Sequence, residues 1–159
     1  MEQLLKLLET NPTLTPRQLS VMLCRDEKAV KGMIDECVRK GIIKGYRAII
    51  DWEKAGVNHV KAQIELKVTP KKGRGFDEIA MAIASMDEVE GVTLMSGGYD
   101  LLIEIKAKTF QDIAMFVFKR LSPMDDVNET ATHFVLRPYK QAGIIFHEED
   151  EDGRSFNAL

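Results

Sequence analysis

The 159-residue sequence holds few of the residues that usually announce chemistry. Its two cysteines, Cys24 and Cys37, lie thirteen positions apart, with no Cys or His beside either at metal-ligand spacing. That excludes a disulfide scaffold and a zinc motif, and leaves two small buried residues in a reducing cytosol as the expectation. The three histidines, His59, His133 and His147, are isolated in sequence. No nucleophile–base pair and no metal cluster can be assembled around them, so no catalytic residue, metal or cofactor is assigned. No apolar run approaches the ~20 residues of a membrane span. The opening MEQLLKLLET carries acids within its apolar pattern and has no small-residue cleavage site. That argues against a secretory signal and for a cytoplasmic protein.

Charge of either sign is also scarce in net terms, at −3 overall. It is unevenly spread: residues 1–57 carry +2, residues 58–147 carry −1 and the last twelve carry −4. An acidic tail, HEEDEDGR, therefore masks a mildly basic front end.

What the sequence does have is periodicity. Leu4, Leu5 and Leu8 form a first helical stripe. TPRQ (residues 15–18) is a helix start, with Thr15 as N-cap, Pro16 in the first turn and Gln18 completing a capping box. Leu19, Met22 and Leu23 supply that helix's inner face. CRD (residues 24–26) is a tight break, and Asp26 caps a third helix striped by Val30, Met33, Ile34, Cys37 and Val38. Gly41 ends it, and GIIKGYRAII is expected to form a two-stranded wing around Lys44 and Gly45. Two helices, a turn of about three residues, a helix and a wing make a winged helix-turn-helix. In that layout the outward residues of the third helix face DNA. Lys28, Lys31 and Arg39 stand on that side, Arg25 lies in the turn, and Lys44 and Arg47 lie on the wing. A solvated face on a plain helical bundle is the alternative.

DWEKAGVN (residues 51–58) breaks the periodicity and is expected to be a linker. VKAQIELKV then alternates cleanly as a half-buried strand. A helix over Phe76, Ile79, Ala80, Ile83 and Met86 follows, then a strand near residues 89–96, the interruption SGGYD, and a strand over 101–107. Thr109 caps a helix with Phe110, Ile113, Ala114, Val117 and Leu121, and a last strand spans about 127–137. FDEIAM at 76–81 is echoed by FQDIAM at 110–115, and MDEV at 86–89 by MDDV at 124–127. The offsets of 34 and 38 make the second half longer by four residues. Two βαβ halves give a ferredoxin-like βαββαβ sandwich, so the fold class is α+β. Its open sheet face is expected to expose Leu102, Phe134 and Leu136 among charges and to pair with a second copy. The expected organisation is a DNA-binding unit over 1–50, a linker over 51–58, the sandwich over 59–140 and the tail over 141–159.

KGIIKGYRAIIDWEKAG, followed by SGGYDLLIEI and a closing TATHFVLRPYK, resembles the Lrp/AsnC family of bacterial and archaeal transcription regulators. The resemblance covers roughly residues 2–140 and rests chiefly on the G-Y-x-A-x-I-D junction and the G-x-Y-D loop. It implies promoter DNA as a partner and homodimers that build tetramers or octamers. It also implies a small amino-acid effector bound between the βαββαβ domains. On the residues themselves, Ser96, Gly97, Gly98 and Tyr99 offer a bare backbone for a carboxylate, and Asp100 a counter-charge for an ammonium. By the resemblance, Thr130 and Thr132 would add hydroxyls from a neighbouring subunit. A simple hairpin turn, with Asp100 capping local backbone, is the competing reading.

One departure matters. Many members carry an Arg-rich run in the third helix, where this chain reads KGMIDEC, and Asp26–Lys40 holds four acids and four bases. Fewer cations mean weaker, salt-sensitive binding per monomer, at roughly −0.9 in log–log slope per phosphate contact. An assembly or sensor protein without DNA binding is therefore an alternative. A relative of the tetrapyrrole decarboxylases that resemble the family is a more remote one.

Overall fold

The computed structural model describes residues 1–70 and 75–146, divided into two compact units, Met1–Ile49 and Ile50–Leu159.

The first unit is three helices: α1 (Glu2–Thr10), α2 (Pro16–Leu23) and α3 (Glu27–Arg39). Thr15 accepts from the Gln18 amide while the Gln18 side chain takes the Thr15 N–H at 2.8 Å, so two orphan donors of α2 are satisfied reciprocally. At the far end of α3, Gly41 has φ +66; its N–H donates to the Val38 carbonyl and that of Ile42 to the Cys37 carbonyl, both at 2.9 Å. This is a Schellman ending, which needs a residue free to adopt the left-handed region. Leu4, Leu8, Leu19 and Val30 close the core, with Leu14, Leu23, Met33 and Ile34 packed against it.

Three expectations fail in this unit. Met22 and Val38 are each about half exposed and do not belong to the core. Cys24 is exposed and only Cys37 is buried. The wing does not form: residues 44–50 carry no strand. An isolated two-stranded ribbon is only marginally stable in water, so strand-like composition alone does not secure one.

The second unit opens with a capped turn over 51–57. The Asp51 side chain accepts from the Lys54 N–H at 3.0 Å, and Val57 N–H donates to the Trp52 carbonyl. Then come β1 (Val60–Val68), α4 (Phe76–Ala84), β2 (Val89–Leu94), β3 (Leu101–Ala107), α5 (Phe110–Phe116), β4 (Val127–Val135) and a short hairpin of β5 (Lys140–Gln141) and β6 (Ile144–Ile145). The main sheet is antiparallel in the order β2-β3-β1-β4. Ala62, Ile64 and Leu66 of β1 and Leu101, Ile103 and Ile105 of β3 form a core with Ile79, Ile83, Ile113, Phe116 and Leu121 from the helices. Alternation in the two central strands puts these residues on one face, and burying each Leu, Ile or Phe contributes about 1.5–3 kcal/mol. α5 runs on into a π-helical turn, Val117–Leu121, closed by the Ser122 N–H on the Val117 carbonyl. This turn takes up extra residues of the second half.

The open face differs from expectation at one strand. β4 pairs Val127 with Val68 but Glu129 with Lys67, so Asn128 is extra and the register shifts there. A bulge of this kind reverses which side chains point where. Beyond it Thr130, Thr132 and Phe134 lie opposite Leu66, Ile64 and Ala62, on the helix side. Phe134 accordingly packs edge-on against Phe110, ring centroids 4.9 Å apart. Leu102 is on the open face, paired with Glu65 and Thr93, while Leu136 lies beyond β4 and is 91% exposed. The hairpin at 140–145 also lies, all but Lys140, inside the span assigned to an acidic tail; the acidic run itself, with His147, lies outside the described residues.

Candidate functional site

The first candidate site is built by the turn between α2 and α3. Cys24 adopts the left-handed conformation (φ 50, ψ 46), and the Arg25 N–H donates back to the Ser20 carbonyl at 2.9 Å. Asp26 then starts α3, its Oδ2 accepting from the Lys28 and Ala29 amides at 2.9 and 3.3 Å. Three residues thus reverse the chain and fix the rotation of α3. Val30 and Cys37 point inward, and Lys28, Lys31, Asp35 and Arg39 point outward. All six cations expected at DNA, Arg25, Lys28, Lys31, Arg39, Lys44 and Arg47, are exposed. The first four sit on the turn and α3; Lys44 and Arg47 sit on the strand-free segment 44–50. Arg17, in the first turn of α2, is a further exposed cation that sequence reasoning passed over. The visible signal was its place one residue behind the TP of the cap, in the first turn of α2.

Not every base on α3 is available. Lys40 is bound to Glu36 at 2.7 Å, and the hydrogen bond and charge of Lys40 hold the Glu36 carboxyl below its ordinary value. The remaining positive charge of α3 is therefore concentrated at Lys28, Lys31 and Arg39.

The second candidate site is the SGGYD loop. The Met95 N–H donates to the Asp100 carbonyl at 2.8 Å and closes it. Gly97 has φ +135, a value that excludes most side chains, whereas Gly98 has no positive φ. A Cβ on either glycine would meet open space, so a molecule can approach both. Asp100 has a structural task as well. Its N–H donates to the Leu66 carbonyl at 2.8 Å, and its Oδ2 accepts from the Val68 N–H at 2.8 Å. The carboxylate therefore caps the end of β1, where the bulge in β4 leaves the ladder irregular. One accepted bond leaves the carboxylate with further lone-pair capacity.

Thr130 and Thr132 do not join the loop within one chain. They lie on β4, the loop joins β2 to β3, and β1 stands between, so about 10 Å, two inter-strand spacings, separates them. A residue that was not anticipated is Lys67. Its ammonium binds Glu129 at 2.7 Å, and that contact, with a smaller contribution from Asp100, raises its pKa. Its strand position is ordinary alternation, so only the cross-strand register reveals the cluster.

Elsewhere in the second unit, Trp52 lies under the Lys106 ammonium (4.5 Å to the ring) and meets His59 edge-on at 5.4 Å. Burial, then the charges of Lys106 and Lys61, lower the His59 pKa against a weaker opposing pull from Glu90. His133 Nε2 faces Glu65 at 3.4 Å. Among the described residues no group of three or more His, Cys, Asp or Glu is placed to hold a metal, and no helix is long and apolar enough to cross a membrane.

A helix-turn-helix with an outward cationic stripe, followed by a βαββαβ sandwich with an open loop between its halves, defines a two-unit regulator. The comparisons agree. The family model described as the Lrp/AsnC ligand binding domain matches residues 61–145. The uncharacterized HTH-type transcriptional regulator YugG of Bacillus subtilis is 41% identical over 153 residues, covering 96% of this chain and 92% of that protein. A Neisseria meningitidis transcriptional regulator solved as a complex with L-Met superposes with a TM-score of 0.69 at 21% identity, covering 87% of this chain and 88% of that one. Escherichia coli AsnC does so at 0.65 and 18%, covering 87% and 91%. The chain belongs to the Lrp/AsnC family, a family of transcriptional regulators and not of enzymes.

Proposed function

We propose that this protein is a sequence-specific DNA-binding transcriptional regulator whose second unit binds a small amino-acid-like effector. In this reading residues 1–50 engage promoter DNA, 51–58 connect, and the unit from 59 onward assembles dimers into a tetramer or octamer in the cytoplasm. The observation that carries it is the three-residue turn at Cys24–Asp26, which turns Lys28 and Lys31 outward from a closed three-helix core. Arg25, Arg39, Lys44 and Arg47 would add phosphate contacts. Ser96, Gly97, Gly98, Tyr99 and Asp100 would take the effector's carboxylate and ammonium, and Thr130 and Thr132 of a second copy would complete the shell. The solved relative bound to L-Met supports an amino acid as the ligand class. Effector and DNA would communicate through a difference in effector affinity between assembly states.

The test is fluorescence anisotropy on a duplex from the region upstream of the protein's own gene. Lys28→Ala with Lys31→Ala should weaken binding by at least about tenfold, since a good base contact contributes about 1–3 kcal/mol. Unchanged affinity at moderate salt refutes the DNA reading. The net-zero charge of Asp26–Lys40 favours a second reading, a sensor that assembles without binding DNA. In that case a panel of amino acids shifts the melting temperature while no duplex binds.

A further inference from the structure

We infer that Gly32 is the point of closest approach between α3 and a bound duplex, and that Lys28, Lys31 and Asp35 around it read a G·C-containing step. The inference rests on the DNA-binding reading and deepens it. Gly32 lies in the interior of a thirteen-residue helix, on its exposed side. Glycine there is unfavourable relative to alanine, because it loses more backbone freedom and gives the helix nothing in return. Such a residue needs a reason, and the unit itself supplies none. A Cβ built on Gly32 meets nothing within 4 Å, and its φ is not in the left-handed region. No neighbour requires the space and no turn requires the conformation. The requirement is then external: something approaches the backbone of α3 at this position more closely than a methyl group allows.

The surroundings state what approaches. Lys28, Lys31, Gly32 and Asp35 follow one another at spacings of three, one and three, so they fall within an arc of about 100° on one helix face, with the glycine at one edge of the arc and midway along its length. Among the described residues, Lys28, Lys31 and Asp35 take part in no ion pair, in contrast to Lys40 and Glu36 one turn further on. Two free ammonium groups and one free carboxylate around a bare stretch of helix do not suit a phosphate backbone, which would exclude Asp35. They do suit the major-groove edge of G·C pairs. There guanine presents two acceptors, O6 and N7, to a lysine, and cytosine presents the N4 donor to a carboxylate. The acid that weakens general affinity is, on this account, the source of discrimination.

The full-length protein is first used to select duplexes from a randomised pool, and affinity for the selected duplex is read by anisotropy. Gly32→Ala should raise the melting temperature of the helical unit by roughly 4 °C or more and weaken the selected duplex at least about tenfold, one tenfold step being about 1.4 kcal/mol. Gly32→Leu should weaken it further. The opposed signs of stability and binding distinguish a contact role from a structural one. Repeating the selection with Asp35→Ala should lose the preference for cytosine at one position while general affinity is kept or improved. Wild-type affinity in Gly32→Ala, or a lowered melting temperature, overturns the closest-approach assignment. An unchanged selected sequence in Asp35→Ala overturns the base assignment. If the wild-type protein selects no duplex, the DNA reading itself fails and the inference falls with it.

Discussion

Replacing Asp100 by alanine removes two things that the structure places in one carboxylate: a candidate effector contact and the cap of β1. The second can be given a magnitude. Asp100 Oδ2 accepts the Val68 N–H at 2.8 Å, and Val68 is only 6% exposed, so little water is available to replace the lost acceptor. A hydrogen bond to a charged group contributes about 1.5–3 kcal/mol, and an orphaned buried donor costs about as much. Asp100→Ala should therefore destabilise the second unit by about 2 kcal/mol, or roughly 10 °C in melting temperature for a unit of this size. Asp100→Asn keeps a carbonyl oxygen in the same place and loses only the charge, so it should cost about half as much. Thermal unfolding of the three proteins, followed by circular dichroism without ligand, measures both. An Asp100→Ala protein within about 0.5 kcal/mol of wild type would refute the capping role, since ordinary surface substitutions fall in that range. The asparagine variant then becomes the proper probe of the loop. It remains folded, so a loss of amino-acid-induced thermal shift in it reports the missing charge.

The Trp52–His59–Lys106 cluster predicts a pH dependence. The folded-state pKa of His59 lies below its unfolded value, so neutral His59 supports the fold above about pH 6.5, and that support is lost as pH falls through the depressed folded value. Thermal unfolding between pH 7.5 and 5.5 should show a drop that is smaller in His59→Gln, and the emission of Trp52, the single tryptophan, should shift with it; equal drops in both proteins would refute the assignment. In the first unit, Thr15→Ala removes the hydroxyl half of the capping box, while the backbone N–H at that position can still donate to Gln18; it should cost about 1 kcal/mol, read as a lower urea midpoint with an unchanged slope.

Much of this molecule is written locally. The capping box at Thr15 and Gln18, the Asp26 cap and the Thr109–Asp112 box form as their spacing requires, because each is closed by groups at most three residues apart. The alternation of β1 and β3 likewise put the inner residues of both central strands on the buried face. The wing was expected from strand-like composition, whereas residues 44–50 carry no strand, because a two-stranded ribbon is marginal by itself. Phe134 was misjudged because alternation counted from Val127 runs straight through Asn128, whereas the pairing of β4 with β1 loops that residue out. Cys24 was placed inside by residue type, while the left-handed turn holds it out.

The candidate sites divide in the same way. The cationic face of α3 was legible because helical spacing alone separates Lys28 and Lys31 from Val30 and Cys37. The role of Asp100 was not, since its partner Val68 lies 32 residues away and meets it only when β1 enters the sheet between β3 and β4. The Lys67–Glu129 pair spans 62 residues and depends on the same insertion. By itself, then, the sequence determined the helices, their caps, the repeated βαβ halves and the need for a turn at SGGYD, all of which follow from contacts within a few residues. Only the tertiary structure decided which face Thr130, Thr132 and Phe134 occupy, what Asp100 holds, and that Gly32 has nothing inside its own unit to explain it. Those depend on strand register and on empty space, and neither is a local property of the chain.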